Sequence, residues 1–318
     1  MEKRSLTVTD ARKGKIVTET NFRSYDYGLN TYVGCEFGCK YCYVRFFIKD
    51  EKPWGEFVRL RNHLENRLPK ELPGVAGSRL VMGTMTDPYQ PVERKHRLTR
   101  RALEMIDASE RKPSKVGIFT RSPIVLDDLE LIARMPKARV HFSVTPFTRD
   151  IMTKIEGIPV QTKARWAVVR KLKAAGIRVH VNVAPAIPVV SDALIEEYCA
   201  ELVSCGVDEF FVDPMQTYSE AFRALGEAME GDPAWPEVQR IMTDKKAFAA
   251  WKAEYRLAWR DTWTKAGAPE KTLAIWCDHA SHTWEKLLTG EVLDMKNYHG
   301  DAPAGDAHSG RTIPAQPV

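Results

Sequence analysis

The chain has 318 residues, of which 44% are hydrophobic and 28% charged, and it carries a formal net charge of +5 at pH 7. These values are typical of a globular protein with a sizeable core, and no apolar run approaches the ~20 residues that a membrane-spanning helix needs. The charged start, MEKRSLTVTDARKGK, is not followed by an apolar segment, so we expect no secretory signal, no membrane contact and a cytoplasmic location.

Strand and helix patterns alternate along most of the chain, as they do in βαβ units. The clearest helical pattern is QTKARWAVVRKLKAA (161–175), in which Trp166, Val169 and Leu172 share one side and Gly176 follows as a C-cap. Six strands are too few for a complete eight-stranded barrel, so the sequence predicts an α/β fold with an open sheet or a partial barrel. The strand-like apolar segments lie at about 30–34, 79–85, 116–120, 139–145, 177–184 and 208–213.

Two of the predicted strands have one apolar and one polar face. In RVHFSVT (139–145), the side chains of His141, Ser143 and Thr145 alternate with apolar ones, and IRVHVNVA (177–184) shows the same alternation with His180 and Asn182. A parallel sheet packed on both sides is apolar on both faces. We therefore expect the polar face to line a ligand cavity, although a solvated sheet face is the simpler alternative.

The composition changes after Asp213, and the pattern divides the chain into four predicted regions. Six of the eight tryptophans fall within residues 214–298, which read as mostly helical, and the last stretch, HGDAPAGDAHSGRTIPAQPV, is small, polar and rich in Pro and Gly. We predict an N-terminal segment at 1–27, a partial barrel at 28–215, a helical region at 216–298 and a disordered tail at 299–318.

Positive charge is concentrated in two stretches, RKHRLTRR (94–101) and KKAFAAWKAEYRLAWRDTWTK (245–265). The second stretch mixes cations with three tryptophans, a combination that binds single-stranded nucleic acids by stacking and phosphate contacts. An amphipathic helix that buries its tryptophans produces the same pattern. A net charge of +5 fits an acidic partner such as nucleic acid and equally fits an ordinary basic enzyme.

Three of the six cysteines, Cys35, Cys39 and Cys42, fall within VGCEFGCKYCYVR (33–45). Three thiolates on a tight loop can hold three irons of a [4Fe–4S] cluster, and the missing fourth cysteine leaves one iron open to a ligand. Gly34 and Gly38 allow the backbone to pass close to the sulfurs. The alternatives are a zinc ion with a distant fourth ligand, and thiols without a metal.

These residues resemble a known family. CEFGCKYC is similar to the CxxxCxxC signature of radical S-adenosylmethionine (SAM) enzymes, and further segments resemble the spore photoproduct lyase-like subgroup over about residues 28–215. Those segments are GTMTDPYQPVE (83–93), LTRRAL (98–103), FTRSPIVLDDLELI (119–132), SVT (143–145) and VAPAIPVVSD (183–192).

The resemblance implies a partial (βα)6 TIM-type barrel, followed here by a mostly helical C-terminal extension, with a [4Fe–4S] cluster at the barrel's C-terminal mouth. SAM is expected to chelate the open iron. One electron from a reducing partner of the flavodoxin or ferredoxin type is expected to cleave SAM to methionine and a 5′-deoxyadenosyl radical, which abstracts hydrogen from a substrate.

The resemblance also implies roles for individual residues. Cys35, Cys39 and Cys42 are the expected iron ligands, and Tyr41 is expected near the adenine. Arg121 is expected to pair with the SAM carboxylate, because Arg binds carboxylates bidentately. The remaining expected SAM contacts are Thr84, Thr86, Asp87, Ser143, Asn182 and Val183. For Asp87, which precedes a proline, a turn role is the alternative.

Two further residues are candidates for catalysis. Asp213 ends the sixth predicted strand, the position of barrel active-site residues. Cys277, in AIWCDHASHTWE, is the cysteine outside the cluster whose neighbours include Trp, Asp and His, whereas Cys199 and Cys205 lie in patterns typical of packed thiols. No extra cysteine matches the lyase's hydrogen-donor motif, so the resemblance does not extend to repair of spore photoproduct. Tyr89 and Tyr218 are alternative hydrogen donors.

We therefore expect a radical SAM enzyme with one cluster, acting on a nucleic acid base that is damaged or modified. The same chemistry on a small molecule or peptide is the first alternative. A non-catalytic iron–sulfur or zinc protein that binds nucleic acid is the second, and the polar strand faces argue against it, because a binding module needs no lined cavity.

Overall fold

The computed structural model describes residues 5–22, 24–217, 219–269, 271–278 and 283–294. The predicted tail (299–318) and Tyr218 lie outside this range. The strands are β1 (Thr7–Asp10), β2 (Val17–Glu19), β3 (Tyr27–Leu29), β4 (Tyr32–Val33), β5 (Phe57–Leu60), β6 (Arg79–Met82), β7 (Lys115–Thr120), β8 (Arg139–Ser143), β9 (Arg178–Ala186), β10 (Glu209–Pro214), β11 (Leu273–Asp278) and β12 (Thr283–Lys286).

Helices follow most of the strands. They are α1 (Val44–Phe47), α2 (Leu64–Glu71), α3 (Glu93–His96), α4 (Leu98–Ala108), α5 (Leu129–Ala133), α6 (Arg149–Ile155), α7 (Thr162–Ala174), α8 (Ile195–Cys205), α9 (Ser219–Ala228), α10 (Trp235–Thr243) and α11 (Lys245–Lys265). In the described residues, no helix is long and apolar enough to cross a membrane.

The described strands form one large sheet and one small one. The large sheet has the order β12-β11-β10-β9-β8-β7-β6-β3-β2, with parallel pairing from β3 to β11 and an antiparallel strand at each edge. The small sheet pairs β5 with β1 and β4. This is a mixed α/β fold built on a parallel sheet, as the alternating pattern predicts.

The sheet differs from the prediction at both ends. The first predicted strand, 30–34, corresponds to β4 (Tyr32–Val33) of the small sheet, whereas β3 (Tyr27–Leu29) of the large sheet precedes it and was not predicted. The region after residue 214 contains α9, α10 and α11, but it also contains β11 and β12, which the pattern did not predict. The parallel run of the large sheet has seven strands, of which β6 to β10 match predicted segments and β3 and β11 do not. Phe211 of β10 lies opposite Ile275 of β11.

The main core lies between the sheet and its helices. Trp166, Val169 and Leu172 of α7 are buried in it, and Gly176 has a positive φ of 73°, so the predicted helix and its C-cap are confirmed. Four aromatic side chains of α11 are buried in the same core: Trp251, Tyr255, Trp259 and Trp263. Of the two interpretations of this stretch, the amphipathic helix that buries its tryptophans is confirmed, and the stacking of bases on these rings is wrong, because they stabilise the packing of α11.

Candidate active site

The three clustered cysteines lie on the loop between β4 and α1. Cys35 and Cys39 are buried beside Phe37, and Cys42 is half-buried. Gly34 has a φ of +85°, and a Cβ there would lie 2.5 Å from the Phe57 carbonyl oxygen. Only glycine fits this position, so the turn into the loop depends on the residue type.

The segment after β6 holds one side of the cysteine loop. The Thr86 hydroxyl donates to the Gly34 carbonyl oxygen at 2.6 Å, and the Gln90 amide nitrogen donates to the Thr86 hydroxyl at 3.0 Å. The Glu36 backbone N–H donates to Gln90 Oε1 at 2.8 Å. Thr86, predicted to contact SAM, thus uses its hydroxyl to position the loop.

Asp87 connects the segments that follow β6 and β7. Its carboxylate accepts hydrogen bonds from the Thr120 hydroxyl (2.7 Å) and from the backbone N–H groups of Arg121 and Tyr89 (2.9 Å each). Burial raises the pKa of this carboxyl, while the same hydrogen bonds oppose the rise. Thr84 is half-buried, its carbonyl oxygen accepts from the Tyr43 hydroxyl at 2.5 Å, and its own hydroxyl has no partner within the described residues.

The segment after α6 holds the other side of the loop. The Lys40 N–H donates to the Ile155 carbonyl oxygen at 2.8 Å, and the Ile158 N–H donates to the Phe37 carbonyl oxygen at 3.2 Å. These bonds place Glu156 directly behind the loop. The cysteine loop is therefore held between the segment after β6 and the segment after α6.

Arg121 points at the cysteine loop from the end of β7. Its Nη1 donates to Cys39 Sγ and to the Tyr41 hydroxyl, both at 2.6 Å, and its Nη2 is paired with Glu156. Tyr41, predicted near the adenine, is half-buried and donates to Glu156 at 2.8 Å. The Arg121 guanidinium, predicted to bind the SAM carboxylate, already has three partners within the chain.

The polar face of β8 and β9 is buried, with His141 and His180 each 5% exposed and Asn182 4% exposed. His141 stacks on Phe119 with ring centroids 4.1 Å apart, and its Nε2 is hydrogen-bonded to the Tyr25 hydroxyl at 2.7 Å. Among the residues that the structure describes, His141 Nδ1, His180 Nε2 and Asn182 Oδ1 are buried and have no hydrogen-bond partner. Buried polar atoms are normally satisfied, so this face suits a polar ligand.

Ser143 and Val183 lie at the carboxyl ends of the same two strands. Ser143 is half-buried and pairs in register with Asn182. The Val183 side chain is fully buried in the main core, on the opposite sheet face from Asn182. Only the Val183 backbone can therefore reach a ligand bound on the polar face.

Cys277 and Asp213 lie next to each other at the far end of the sheet order. Cys277 is on β11 and fully buried, packed with Phe211, Ile275 and Trp284. Burial and the nearby Asp213 carboxylate raise the pKa of this thiol well above its ordinary value. The thiol is therefore protonated at neutral pH.

The three thiols of the cysteine loop do not converge on one point. In the described residues, no three His, Cys, Asp or Glu side chains converge on one possible metal position. In a [4Fe–4S] cluster each cysteine binds a different iron, so the sulfurs need not converge. All six thiols are free. Burial raises the pKa values of Cys35, Cys39 and Cys42.

Three residues of this site were missed from the sequence: Gln90, Glu156 and Arg165. Arg165 could have been found from the sequence, because it shares a helix face with Val169 and Leu172 in the pattern of α7. A charged residue on an apolar helix face indicates a buried ion pair. Glu156 and Gln90 lie in irregular segments, where neither spacing nor periodicity identifies them.

Comparisons with known proteins agree with these features. A family model described as the radical SAM superfamily matches residues 29–225. A curated protein of Methanocaldococcus jannaschii, described as uncharacterized, is 27% identical over 246 residues, which are 76% of this chain and 89% of that protein. An uncharacterized Mycobacterium tuberculosis protein is 28% identical over 179 residues, 53% of this chain and 52% of its own length.

Among solved structures, a spore photoproduct lyase variant with bound AdoMet and dinucleoside spore photoproduct has a similar fold. The TM-score is 0.56 at 19% identity over 71% of this chain. This chain spans 66% of that lyase, just under two thirds. A second lyase structure, complexed with dinucleoside spore photoproduct, gives 0.56 at 17% identity over 70% of this chain and 66% of that chain. At these identities the likeness establishes the fold, and the resemblance predicted from the motifs is confirmed.

Proposed function

Because this chain belongs to the radical SAM superfamily, we propose that Cys35, Cys39 and Cys42 hold a [4Fe–4S] cluster at which SAM is cleaved reductively. The chain is a radical SAM enzyme. When bound, the reduced cluster supplies the electron that converts SAM to methionine and a 5′-deoxyadenosyl radical. The observation that carries the proposal is the buried loop, which presents three cysteines.

The sheet is proposed to curve as a partial (βα)6 barrel whose polar face binds SAM and the substrate. Asn182 and Ser143 then offer polar atoms to SAM, Thr84 offers a free hydroxyl, and the backbone of Val183 borders the adenine. Tyr41 contributes its ring beside the loop. The hydrogen bonds of Thr86 and Asp87 support roles in shaping the site, with contact to SAM through their backbones.

The proposed substrate is a nucleic acid base, either damaged or modified. The fold is like that of a lyase whose structure contains a dinucleoside lesion, and the polar sheet face has unpaired buried atoms that suit a base edge. A base within a duplex must be flipped out to reach this face. The alternative substrate is a small molecule or peptide, which needs no flipping.

Cys277 is the proposed hydrogen-atom donor, with Asp213 beside it. The protonated thiol is the form that holds a transferable hydrogen, and the raised pKa of Cys277 keeps it in that form. Cys277 is fully buried and packs against Trp284 of β12. The enzyme also needs a reducing partner of the flavodoxin or ferredoxin type, and we propose the cytoplasm as its location.

The test is anaerobic. The protein is reconstituted with iron and sulfide, given SAM and dithionite, and assayed for 5′-deoxyadenosine. Wild-type protein is expected to produce it and Cys39→Ala is not. Cys205→Ala is the matched control, because Cys205 is 8% exposed, like Cys35, but lies in α8. The proposal is contradicted if Cys39→Ala still produces 5′-deoxyadenosine. It is also contradicted if wild-type protein that holds four irons produces none.

A further inference from the structure

Three buried charges lie directly behind the cysteine loop: Arg121, Glu156 and Arg165, which are 7%, 2% and 0% exposed. Arg121 follows β7, Glu156 follows α6, and Arg165 lies in α7. Among the described residues, Glu156 is the one carboxylate that the two guanidinium groups pair with, so two cations share one anion, while the nearby Asp87 carboxylate bonds to the Arg121 backbone instead. Buried charges are costly unless they are paired, so a second anionic partner for the cations is favourable.

Glu156 connects the group. Its Oε1 is paired with Arg121 Nη2 and accepts from the hydroxyls of Tyr41 (2.8 Å) and Thr145 (3.1 Å). Its Oε2 accepts from Arg165 Nη2 at 2.6 Å. Burial raises the pKa of the Glu156 carboxyl. The nearby Arg121 and Arg165 guanidinium groups have a larger, opposite effect and bring that pKa down to about 2. Glu156 is therefore ionised and holds both guanidinium groups in place.

Of the two guanidinium groups, the one that contacts a cysteine is that of Arg121. Arg121 Nη1 donates to Cys39 Sγ at 2.6 Å, whereas Arg165 points away, to the Val160 carbonyl oxygen at 2.8 Å and to Thr145. The Arg121 guanidinium also lies 5.7 Å and 5.9 Å from the ring centroids of Phe37 and Tyr41. Cation–π contacts and the Glu156 pair together fix its orientation toward the sulfur.

We propose that Arg121, anchored by Glu156 and Arg165, is a positioning residue that raises the reduction potential of the cluster bound at Cys39. This inference rests on the proposed [4Fe–4S] cluster. Three thiolates leave the bound cluster negative, and one-electron reduction adds one more negative charge. A nearby cation and an N–H···S hydrogen bond both stabilise the reduced form, and hydrogen bonds to sulfur and net charge are known determinants of cluster potentials.

The test is a redox titration of the reconstituted protein without SAM, in which the reduced cluster is followed by electron paramagnetic resonance. Arg121→Gln removes the charge but retains an N–H donor. It is expected to lower the equilibrium constant for one-electron reduction at least tenfold, a shift of about 59 mV to more negative potential. Arg121→Lys retains the charge and is expected to stay within about threefold of wild type. Omitting SAM separates this effect from a salt bridge between Arg121 and the SAM carboxylate.

The matched control is Arg139→Gln, because Arg139 is 3% exposed and ion-paired to Glu209, but lies in β8. A shift in Arg121→Gln no larger than in this control overturns the inference. If Arg121→Gln assembles no cluster, Arg165→Gln takes its place: a smaller shift in the same direction supports the inference, and an unchanged potential overturns it. A wild type without a cluster instead refutes the proposed function.

Discussion

At the scale of single residues, Gly34 determines whether the cysteine loop can form. Its φ of +85°, together with the 2.5 Å that would separate an added Cβ from the Phe57 carbonyl oxygen, leaves no room for a side chain. The sequence indicates this role only as a glycine next to a cysteine. The structure adds the reason, which is the packing of the loop against β5.

We expect Gly34→Ala to destabilise the protein by about 2 kcal/mol or more, since overpacking and an unfavourable φ act together. Iron bound per chain after reconstitution and the free energy of unfolding in urea are the measurements. Gly74→Ala is the control: nothing lies within 4 Å of its added Cβ, and its effect is expected to be within about 0.5 kcal/mol. Full iron loading and wild-type stability in Gly34→Ala would show that the turn tolerates a side chain.

At the scale of elements, α11 shows how one sequence pattern can have two meanings. Lys, Arg and Trp residues alternate along it, as they do in nucleic-acid grooves, but Trp251, Trp259 and Trp263 recur on one helical face. All three are buried, and Trp259 and Trp263 also lie 5.9 Å and 4.8 Å from the Phe210 ring on β10. The tryptophans thus attach the C-terminal region to the large sheet.

We expect Trp259→Ala to destabilise the protein by about 3–5 kcal/mol, the usual effect of removing a buried aromatic side chain. Leu257→Ala, on the exposed side of the same helix with Leu257 41% exposed, is the control and is expected to change stability by less than about 0.5 kcal/mol. The measurement is urea unfolding. If Trp259→Ala left stability unchanged but weakened nucleic-acid binding, the stacking interpretation of α11 would be right after all.

The elements also show how far the sequence could predict the fold. The strands β6 to β10 and the helix α7 were predictable, because their apolar residues recur with the strand or helix period. β11 was not, because its sequence, LAIWCD, follows a long helical pattern in a region that reads as mostly helical. β3 was not predicted because its three residues, YGL, are too few to show a period, and the segment 30–34 joins the small sheet because local propensity does not indicate which sheet a strand joins.

In the site, as in the fold, local patterns were predictable from the sequence and contacts between distant segments were not. The cysteine spacing predicted that the three thiols share one loop, because CxxxCxxC is a local pattern whose cysteines lie within eight residues. The contacts of Glu156 with Arg121 and Arg165 depend on packing between β7, α6 and α7, so no single segment contains them. Asp87 and Thr86 were singled out as SAM contacts, which stays a prediction, and their hydrogen bonds within the chain could not be read from TDPYQP.

At the scale of the whole molecule, the surface charge has an uneven distribution near the site. Helix α3 follows Val92, and the Val92 N–H donates a hydrogen bond to the Glu36 carboxylate of the cysteine loop. Its exposed Arg94 and the adjoining Arg97 border a surface cavity of about 250 Å³. Neither forms an ion pair within the described residues, whereas nearby Arg100 is paired with Asp128. Arg94 and Arg97 therefore add exposed positive charge to a cavity that Glu93, Asp127 and Asp128 also line.

If the substrate is a nucleic acid, the double variant Arg94→Glu/Arg97→Glu should bind a single-stranded DNA oligonucleotide at least tenfold more weakly at low salt. The dependence of log K on log[salt] should also become shallower by roughly one unit per lost phosphate contact, since each contact releases condensed counterions. Lys245→Glu/Lys246→Glu, an equal charge change on exposed residues of α11, is the control. Equal losses in both variants would indicate non-specific attraction by net charge. A wild type that binds no DNA at low salt but still makes 5′-deoxyadenosine would exclude the nucleic-acid substrate and favour a small molecule or peptide, because the radical chemistry depends on the cysteine loop and not on α3.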